Sequence, residues 1–291
     1  MIQESISPQV IPFFDEASHT LSYIVKDPSS SACAVIDPVL EFNYSAGALS
    51  YKGADAIIEY IQSHELELEW LIETHVHADH VSASSYIKKQ IGGGVLIGEA
   101  ITTVQQVFGE LYNENQDFKR DGSQFDILLK DNDKYYIGNL VVNVMHTPGH
   151  TPACMTHIIG DSAFIGDTLF MPDSGTGRTD FPGGSAKQIY QSIKRILSLP
   201  LSTKLFMCHD YCPKGRDLKY QTTVNEQRQF NIHVNETISE PEYITMREAR
   251  DKTLDVPKLI LPSLQINMRA GCLPSCDTNN TVYLKIPLNV L

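Results

Sequence analysis

No apolar run in the 291-residue sequence approaches the roughly 20 residues that span a bilayer. The opening MIQESISPQV carries neither the basic nor the apolar stretch of a secretory leader, so a cytoplasmic location and no membrane partner are expected. Positive charge is also scarce: 23 Lys and Arg stand against 35 Asp and Glu, a net charge of −12. Such a surface repels phosphate backbones, and without a basic stripe the sequence argues against nucleic acid as a partner. An anionic small molecule would need a local group of cations. Cysteine is sparse as well, with six residues and no secretion signal, and reads as thiols rather than a disulfide framework. Cys208/Cys212 and Cys272/Cys276 share a spacing, yet the intervening HDY and LPS do not resemble a zinc knuckle. Cys272 and Cys276 can equally be read as a redox-sensitive pair near a loop.

A chain of this length can bury a large core unaided. Leu21–Lys26 and Ala32–Asp37 are β-branched and aromatic runs around the turn-rich DPSSS, the pattern of an antiparallel hairpin. Ala54, Ile57, Ile58 and Ile61 recur at helical spacing, after which Leu66, Leu68, Trp70 and Ile72 alternate as a strand. Helices are expected over Ser82–Gln90 and Ala100–Tyr112, with a short strand at Val95–Ile97 between them. Strands follow at Leu140–Met145, Cys154–Ile159, Ala163–Ile165 and Lys204–Cys208. DSGTGRTDFPGG (173–184) is too rich in Gly, Pro, Ser and Asp for regular structure and leads into a helix with Ala186, Ile189, Tyr190, Ile193, Ile196 and Leu197 on one face.

Polar clusters stand at the ends of these strands. The first, THVHADH (Thr74–His80), places three of the chain's ten histidines and an aspartate within six residues. A His-x-His-x-acid-His pattern arises by chance in about one sequence of this composition in a thousand. With His150, Asp167 and His209, the residues His75, His77, Asp79 and His80 are candidates to converge on one sheet edge. Imidazole and carboxylate donors suit zinc, iron or manganese. His19, His64, His146, His157 and His233 have no such company and read as ordinary core or surface histidines.

THVHADH, TPGHT (Thr147–Thr151), Gly166-Asp167 and His209 together resemble the ordered metal motifs of the metallo-β-lactamase superfamily. The resemblance covers most of the chain and implies an α/β fold, an αββα sandwich with the metal at one edge. Residues 1–238 would form the catalytic domain and 239–291 a C-terminal extension packed on it. Seven candidate ligands permit two metals, as in thioester hydrolases of the glyoxalase II type, so ligand counting leaves both nuclearities open.

The flanking segments resemble another branch. SGTGRTDFPGG (Ser174–Gly184), HDYCPKGRD (His209–Asp217) and LILPSLQINMRAGCLP are similar to the persulfide dioxygenases, especially the bacterial ones. That resemblance implies one Fe(II) per chain held by His75, His150 and Asp167. Such a triad leaves coordination positions for both a persulfide sulfur and O2. Glutathione persulfide, O2 and water would give sulfite and glutathione. His77, Asp79, His80 and His209 would then hold the ligands' tautomers and hydrogen-bond the reacting groups. Glutathione carries two carboxylates, for which Arg178 is the first candidate clamp and Arg269 a further one, the alternative for each being a solvated charge. Thr151 and Tyr211 are implied as neighbours of that pocket. A homodimer is compatible with the chain.

Overall fold

The computed structural model describes residues 7–290, so the reading attached to the N-terminal MIQESI lies outside it. The chain runs β1 (Gln9–Asp15), β2 (Thr20–Lys26), β3 (Ala32–Ile36), β4 (Val39–Asn43), β5 (Ala48–Ser50), α1 (Lys52–Ser63), β6 (Glu67–Ile72), β7 (Val81–Ser82), α2 (Ser84–Ile91), β8 (Gly94–Gly98) and α3 (Ile101–Leu111). It continues through β9 (Ile127–Leu129), β10 (Lys134–Ile137), β11 (Leu140–His146), β12 (Met155–Ile159), β13 (Ser162–Phe164), α4 (Ala186–Ile196), β14 (Lys204–Phe206), β15 (Gln221–Thr223), α5 (Val224–Phe230), α6 (Glu240–Asp251) and α7 (Ile260–Asn267).

Two six-stranded sheets face each other, ordered β1-β2-β3-β6-β8-β9 and β10-β11-β12-β13-β14-β15, with a small β5-β4-β7 sheet beside them. Between the large sheets lies a core that includes Leu21, Tyr23, Val25, Ile72, Leu96, Val142, Val144, Phe164 and Phe206. On the outer face of the first sheet, α1, α2, α3 and α7 bury Ile57, Ile87, Phe108 and Leu264 with Val35, Leu71 and Val95. On the outer face of the second, Ile189, Ile193 and Ile196 of α4 meet Leu205 and Tyr243 of α6. The order of layers is helix, sheet, sheet, helix, the αββα sandwich. Each fully buried Ile or Leu in these layers contributes about 1.5–3 kcal/mol over its exposed state.

The strongly periodic elements fall where their periods place them. Helix α1 buries Ala54, Ile57, Ile58 and Ile61, and α4 starts where the Ser185 hydroxyl accepts from the Gln188 N–H. The second expected helix begins at Ser84 rather than Ser82, because Val81 and Ser82 pair with Leu40 and Val39. Strand β1 carries Pro12 and gives no alternating signal; a sheet edge tolerates such a strand. β10 and β11 form a tight hairpin closed by Ile137 opposite Leu140, with Gly138 at φ 55. Helix α6 packs on α4 and α7 on β7. Among the described residues no helix is long and apolar enough to cross a membrane.

His157 on β12 is fully buried, with Nδ1 3.0 Å from the Tyr135 hydroxyl. Burial lowers its pKa to about 4, against about 6.5 in an unfolded chain. The unfolded chain therefore takes up the proton first, and folding stability falls as pH drops from about 6.5 through about 4. We predict that this histidine alone costs roughly 2–3 kcal/mol of stability between pH 7 and pH 4.5. Denaturant titrations at both pH values should show a smaller loss in His157→Gln than in the wild type. Equal losses would refute the assignment.

Candidate metal centre

Strand direction gathers the polar clusters. β3 and β6 are parallel neighbours, ending at Asp37 and at Glu73-Thr74-His75. In the facing sheet β11 is antiparallel to β12, β12 to β13, and β13 is parallel to β14. Strands β11, β13 and β14 therefore point the same way, and the segments after them carry His150, Asp167 and His209 to one edge. Two glycines allow the close approach. Gly166 has φ 53, and a Cβ there would stand 2.7 Å from Thr74 Oγ1; at Gly177 it would run into the Asp167 carbonyl.

His75, His150 and Asp167 form one buried group. Asp167 Oδ2 is 3.9 Å from His75 Nε2 and 3.7 Å from His150 Nε2, too far for hydrogen bonds. The partners behind the rings fix which nitrogen carries the proton. Thr74 Oγ1 donates to Asp37 Oδ2, so at 3.0 Å its lone pair accepts from His75 Nδ1–H. His150 Nδ1–H donates to the Arg178 carbonyl at 2.8 Å. Both Nε2 lone pairs are left facing the carboxylate. Burial, followed by the nearby His77 and His150, holds the His75 pKa well below its usual value and keeps that ring neutral. His75 Nε2, His80 Nε2, His209 Nε2 and Asp167 Oδ1 are buried without a hydrogen-bond partner. Such orphaned atoms are expensive unless a cation takes up their lone pairs, so the residues present fit a bound metal.

His77 faces a different set of groups. Its Nε2 lies 3.0 Å from Asp37 Oδ1 and 3.3 Å from Glu73 Oε2, leaving Nδ1 buried and unpartnered. Burial opposes the imidazolium, but Asp37 and Glu73 outweigh it and raise the His77 pKa. Asp79 Oδ1 lies 3.4 Å from His80 Nδ1, and Asp79 Oδ2 lies 3.1 Å from His209 Nε2, which is also 3.4 Å from Asp167 Oδ1. At His209 burial again disfavours the cation, and Asp167 and Asp79 together raise the pKa. Asp79, His80 and His209 thus form a second half of the site around Asp167.

Asp37, Glu73, Thr20 and His19 belong to this machinery and were not expected from sequence. Thr20 Oγ1 is 3.3 Å from His80 Nδ1, and the His19 carbonyl accepts from His209 Nδ1 at 3.3 Å. The strand-end rule that picks out His75 applies equally to Asp37, directly after β3. Nothing in the pattern marks Thr20 or the His19 carbonyl.

A cavity of about 680 Å³ opens onto Asp79, His80, His150 and Asp167, with Phe42, Phe170, His19 and Tyr211 among its walls. Tyr211 lies parallel to His209 with centroids 5.8 Å apart. Two expectations need correction. Arg269 lies outside this cavity: its guanidinium is buried, paired with Glu114 at 2.7 Å and stacked over Phe118, because α7 carries it towards the α3 side. Thr151 is fully buried and hydrogen-bonded to Cys154 Sγ, so its side chain does not reach the cavity. Arg178 lines the cavity, but its fork already grips both Asp180 oxygens at 2.6 Å and donates to the Asp255 carbonyl. Arg250 and Lys258 also line the cavity and have no carboxylate within ion-pair distance among the described residues. The two cysteine pairs also lie apart. Cys208 is buried against Asp37, Cys272 and Cys276 are exposed, and no metal-capable group joins the pairs among the described residues.

The helix-sheet-sheet-helix order and the histidine-aspartate edge define a metal-dependent class, and the metallo-β-lactamase superfamily matches residues 16–209. The chain belongs to that superfamily. It is 49% identical to a probable metallo-hydrolase of Burkholderia pseudomallei, over 96% of this chain and 98% of that protein. It is 46% identical to glyoxylase B2 of Dictyostelium discoideum, over 97% of each. It is 30% identical to the mitochondrial persulfide dioxygenase ETHE1 of Homo sapiens, over 89% of this chain and 87% of that one. The crystal structure of ETHE1 from Myxococcus xanthus superposes with a TM-score of 0.73 at 29% identity, covering 91% of this chain and all of that one.

Asp167→Ala should abolish metal binding, because it removes the carboxylate common to both halves of the site. Thr74→Val keeps the shape of the side chain but removes the acceptor that sets the His75 tautomer, and should weaken metal affinity by about 10–100-fold. His209→Ala should retain a metal on the other three residues. Metal content after dialysis and chelator competition would check all three; equal losses in Asp167→Ala and His209→Ala would show that the two halves bind as one dinuclear unit.

Proposed function

We propose that this protein is a mononuclear non-haem iron persulfide dioxygenase that converts glutathione persulfide, O2 and water to glutathione, sulfite and two protons. The observation that carries the reading is the group of two imidazoles and one carboxylate, His75, His150 and Asp167, of which His150 and Asp167 line a cavity large enough for a tripeptide thiol. The likeness to human persulfide dioxygenase over most of both chains supports it.

The residues divide the work. His75, His150 and Asp167 would hold the iron, with Thr74 Oγ1 and the Arg178 carbonyl fixing the ring orientations. Bound Fe(II) would supply the one-electron chemistry needed to join O2 to a spin-paired sulfur. His209 Nε2, flanked by Asp79 and Asp167, can hold a proton beside the reacting sulfur. Phe42, Phe170 and Tyr211 present apolar surface that sheds water from the peptide thiol. Arg250 and Lys258 offer cations to its carboxylates, while Arg178, already neutralised by Asp180, shapes the wall.

A second reading is a thioester hydrolase of the glyoxalase type. The observation that favours it is the second donor set, Asp79, His80 and His209, around the same Asp167, and the glyoxylase B2 relative agrees.

Protein purified without oxygen and loaded with one Fe(II) per chain should consume O2 on addition of glutathione persulfide and release sulfite in equal amount. The zinc-loaded form should do neither. Hydrolysis of S-lactoylglutathione by a form carrying two metals, with no persulfide-dependent O2 uptake, would establish the second reading instead. Arg250→Ala should raise KM by about fivefold, the worth of roughly 1 kcal/mol for an exposed charge, with kcat unchanged. Arg178→Ala should raise it less. The opposite order would return the clamp to Arg178.

A further inference from the structure

Asn267, the last residue of α7, is buried, and its side chain reaches into the loop between β6 and β7. Nδ2 donates to the carbonyls of His77 and His80, each at 2.8 Å, and Oδ1 accepts from the Ser82 N–H at 2.8 Å. A carboxamide has two N–H donors and one carbonyl, and here all of them bond to the backbone of one six-residue bend. Neither carbonyl lies in a helix or strand, and this one side chain satisfies both. The turn that ends α7 packs on the same point: Ala270 and Gly271 have φ 56 and 81, and a Cβ on Gly271 would stand 2.9 Å from the Ser82 carbonyl.

We propose that Asn267 is a positioning residue for the Asp79–His80 half of the metal site. His75 precedes the bend and is oriented separately, through Thr74 and Asp37. Asp79 and His80 lie inside the bend, between the two carbonyls that Asn267 holds. Their approach to His209 follows from the path of that backbone. The C-terminal segment thereby sets one half of the centre without touching metal or substrate. Aspartate could accept from Ser82 but would turn an anion towards the His77 and His80 carbonyls; serine could satisfy one of the three groups. The inference holds for either reaction considered above, and two of its readouts need no substrate, so its failure is separable from failure of the dioxygenase reading.

The test compares Asn267→Asp and Asn267→Ser with Gln265→Ala. Gln265 fastens the tail through Lys285 and has no hydrogen bond to the 77–82 bend, so its loss reports the general cost of loosening α7. The readouts are hydrogen exchange of the 74–84 segment in metal-free protein, the visible spectrum of the Co(II)-loaded protein, and kcat and KM for whichever of glutathione persulfide or S-lactoylglutathione the wild type turns over. Both Asn267 variants should bind Co(II) with an altered spectrum, exchange faster across 77–82, and lose about 10–100-fold in kcat at unchanged KM, Asn267→Asp more than Asn267→Ser. Gln265→Ala should match the wild type in spectrum and kcat and differ only in melting temperature. Asn267 variants that match Gln265→Ala in spectrum and kcat would overturn the proposal. Should neither fold, the wild-type Ser82 amide decides: protection like that of the core supports the clamp, and exchange at the rate of an open loop overturns it.

Discussion

One buried carboxylate holds the metal edge together. Asp37 follows β3 in the left-handed region, at φ 49, and is almost wholly shielded from water. A bare carboxylate there would cost several kcal/mol. It is tolerated because it accepts from the Thr74 N–H, the Thr74 hydroxyl and His77 Nε2, with the Cys208 thiol 3.6 Å away. Burial would raise its pKa, but His77 and then Thr74 outweigh burial and keep it ionised. The partners come from both large sheets, so one charge fixes the distance between the two edges that carry the ligands. Through Thr74 it also fixes the proton on His75. The folding problem of satisfying Asp37 and the chemical problem of presenting a bare Nε2 have the same solution.

The opposite ligand is braced from further away. His150 takes its orientation from the Arg178 carbonyl, which lies in a loop without regular structure. That loop is held by α6: Asp251 accepts from the Thr179 N–H and hydroxyl, and Arg247, itself bonded to Asp251, donates to the Thr176 carbonyl. A buried pair such as Arg247–Asp251 contributes little net stability by itself. Its value lies in geometry, since it ties a glycine-rich loop to a helix whose other face packs on α4. The C-terminal residues thus act on the centre at two points, through α6 towards His150 and through α7 towards the His77–Ser82 bend.

Periodicity and residue type made the first part of this legible and left the second part hidden. The stripe of Ala54, Ile57, Ile58 and Ile61 and the alternation before Glu73 are local signals of elements whose one face is buried, and both elements appear as read. The histidine cluster was legible because a rare residue recurred at strand ends. Thr20 and Asn267 were not, because a threonine on an edge hairpin or an amide at a helix end is ordinary by composition and becomes informative only when the chain brings it against a ring nitrogen or an orphan carbonyl. Arg178 and Arg269 show the same limit for charge. A guanidinium in a loop motif looks available until Asp180 and Glu114, neither of them marked by pattern, are found in its fork.

Charge also bears on which half of the centre dominates. Two imidazoles and the Asp167 carboxylate would leave a divalent ion bound among them with one unit of positive charge. Filling the second half as well would bring Asp79 into the same few ångströms, and its carboxylate would then balance a second cation. Without that cation, Asp79 and Asp167 both lean on His209, whose pKa they raise against the effect of burial. A protonated His209 can stand where a second metal would stand, neutralising two carboxylates and keeping a mobile proton beside the first metal. A second ion held by Asp79, His80 and His209 would have to displace the proton that His209 Nε2 can hold between Asp79 and Asp167.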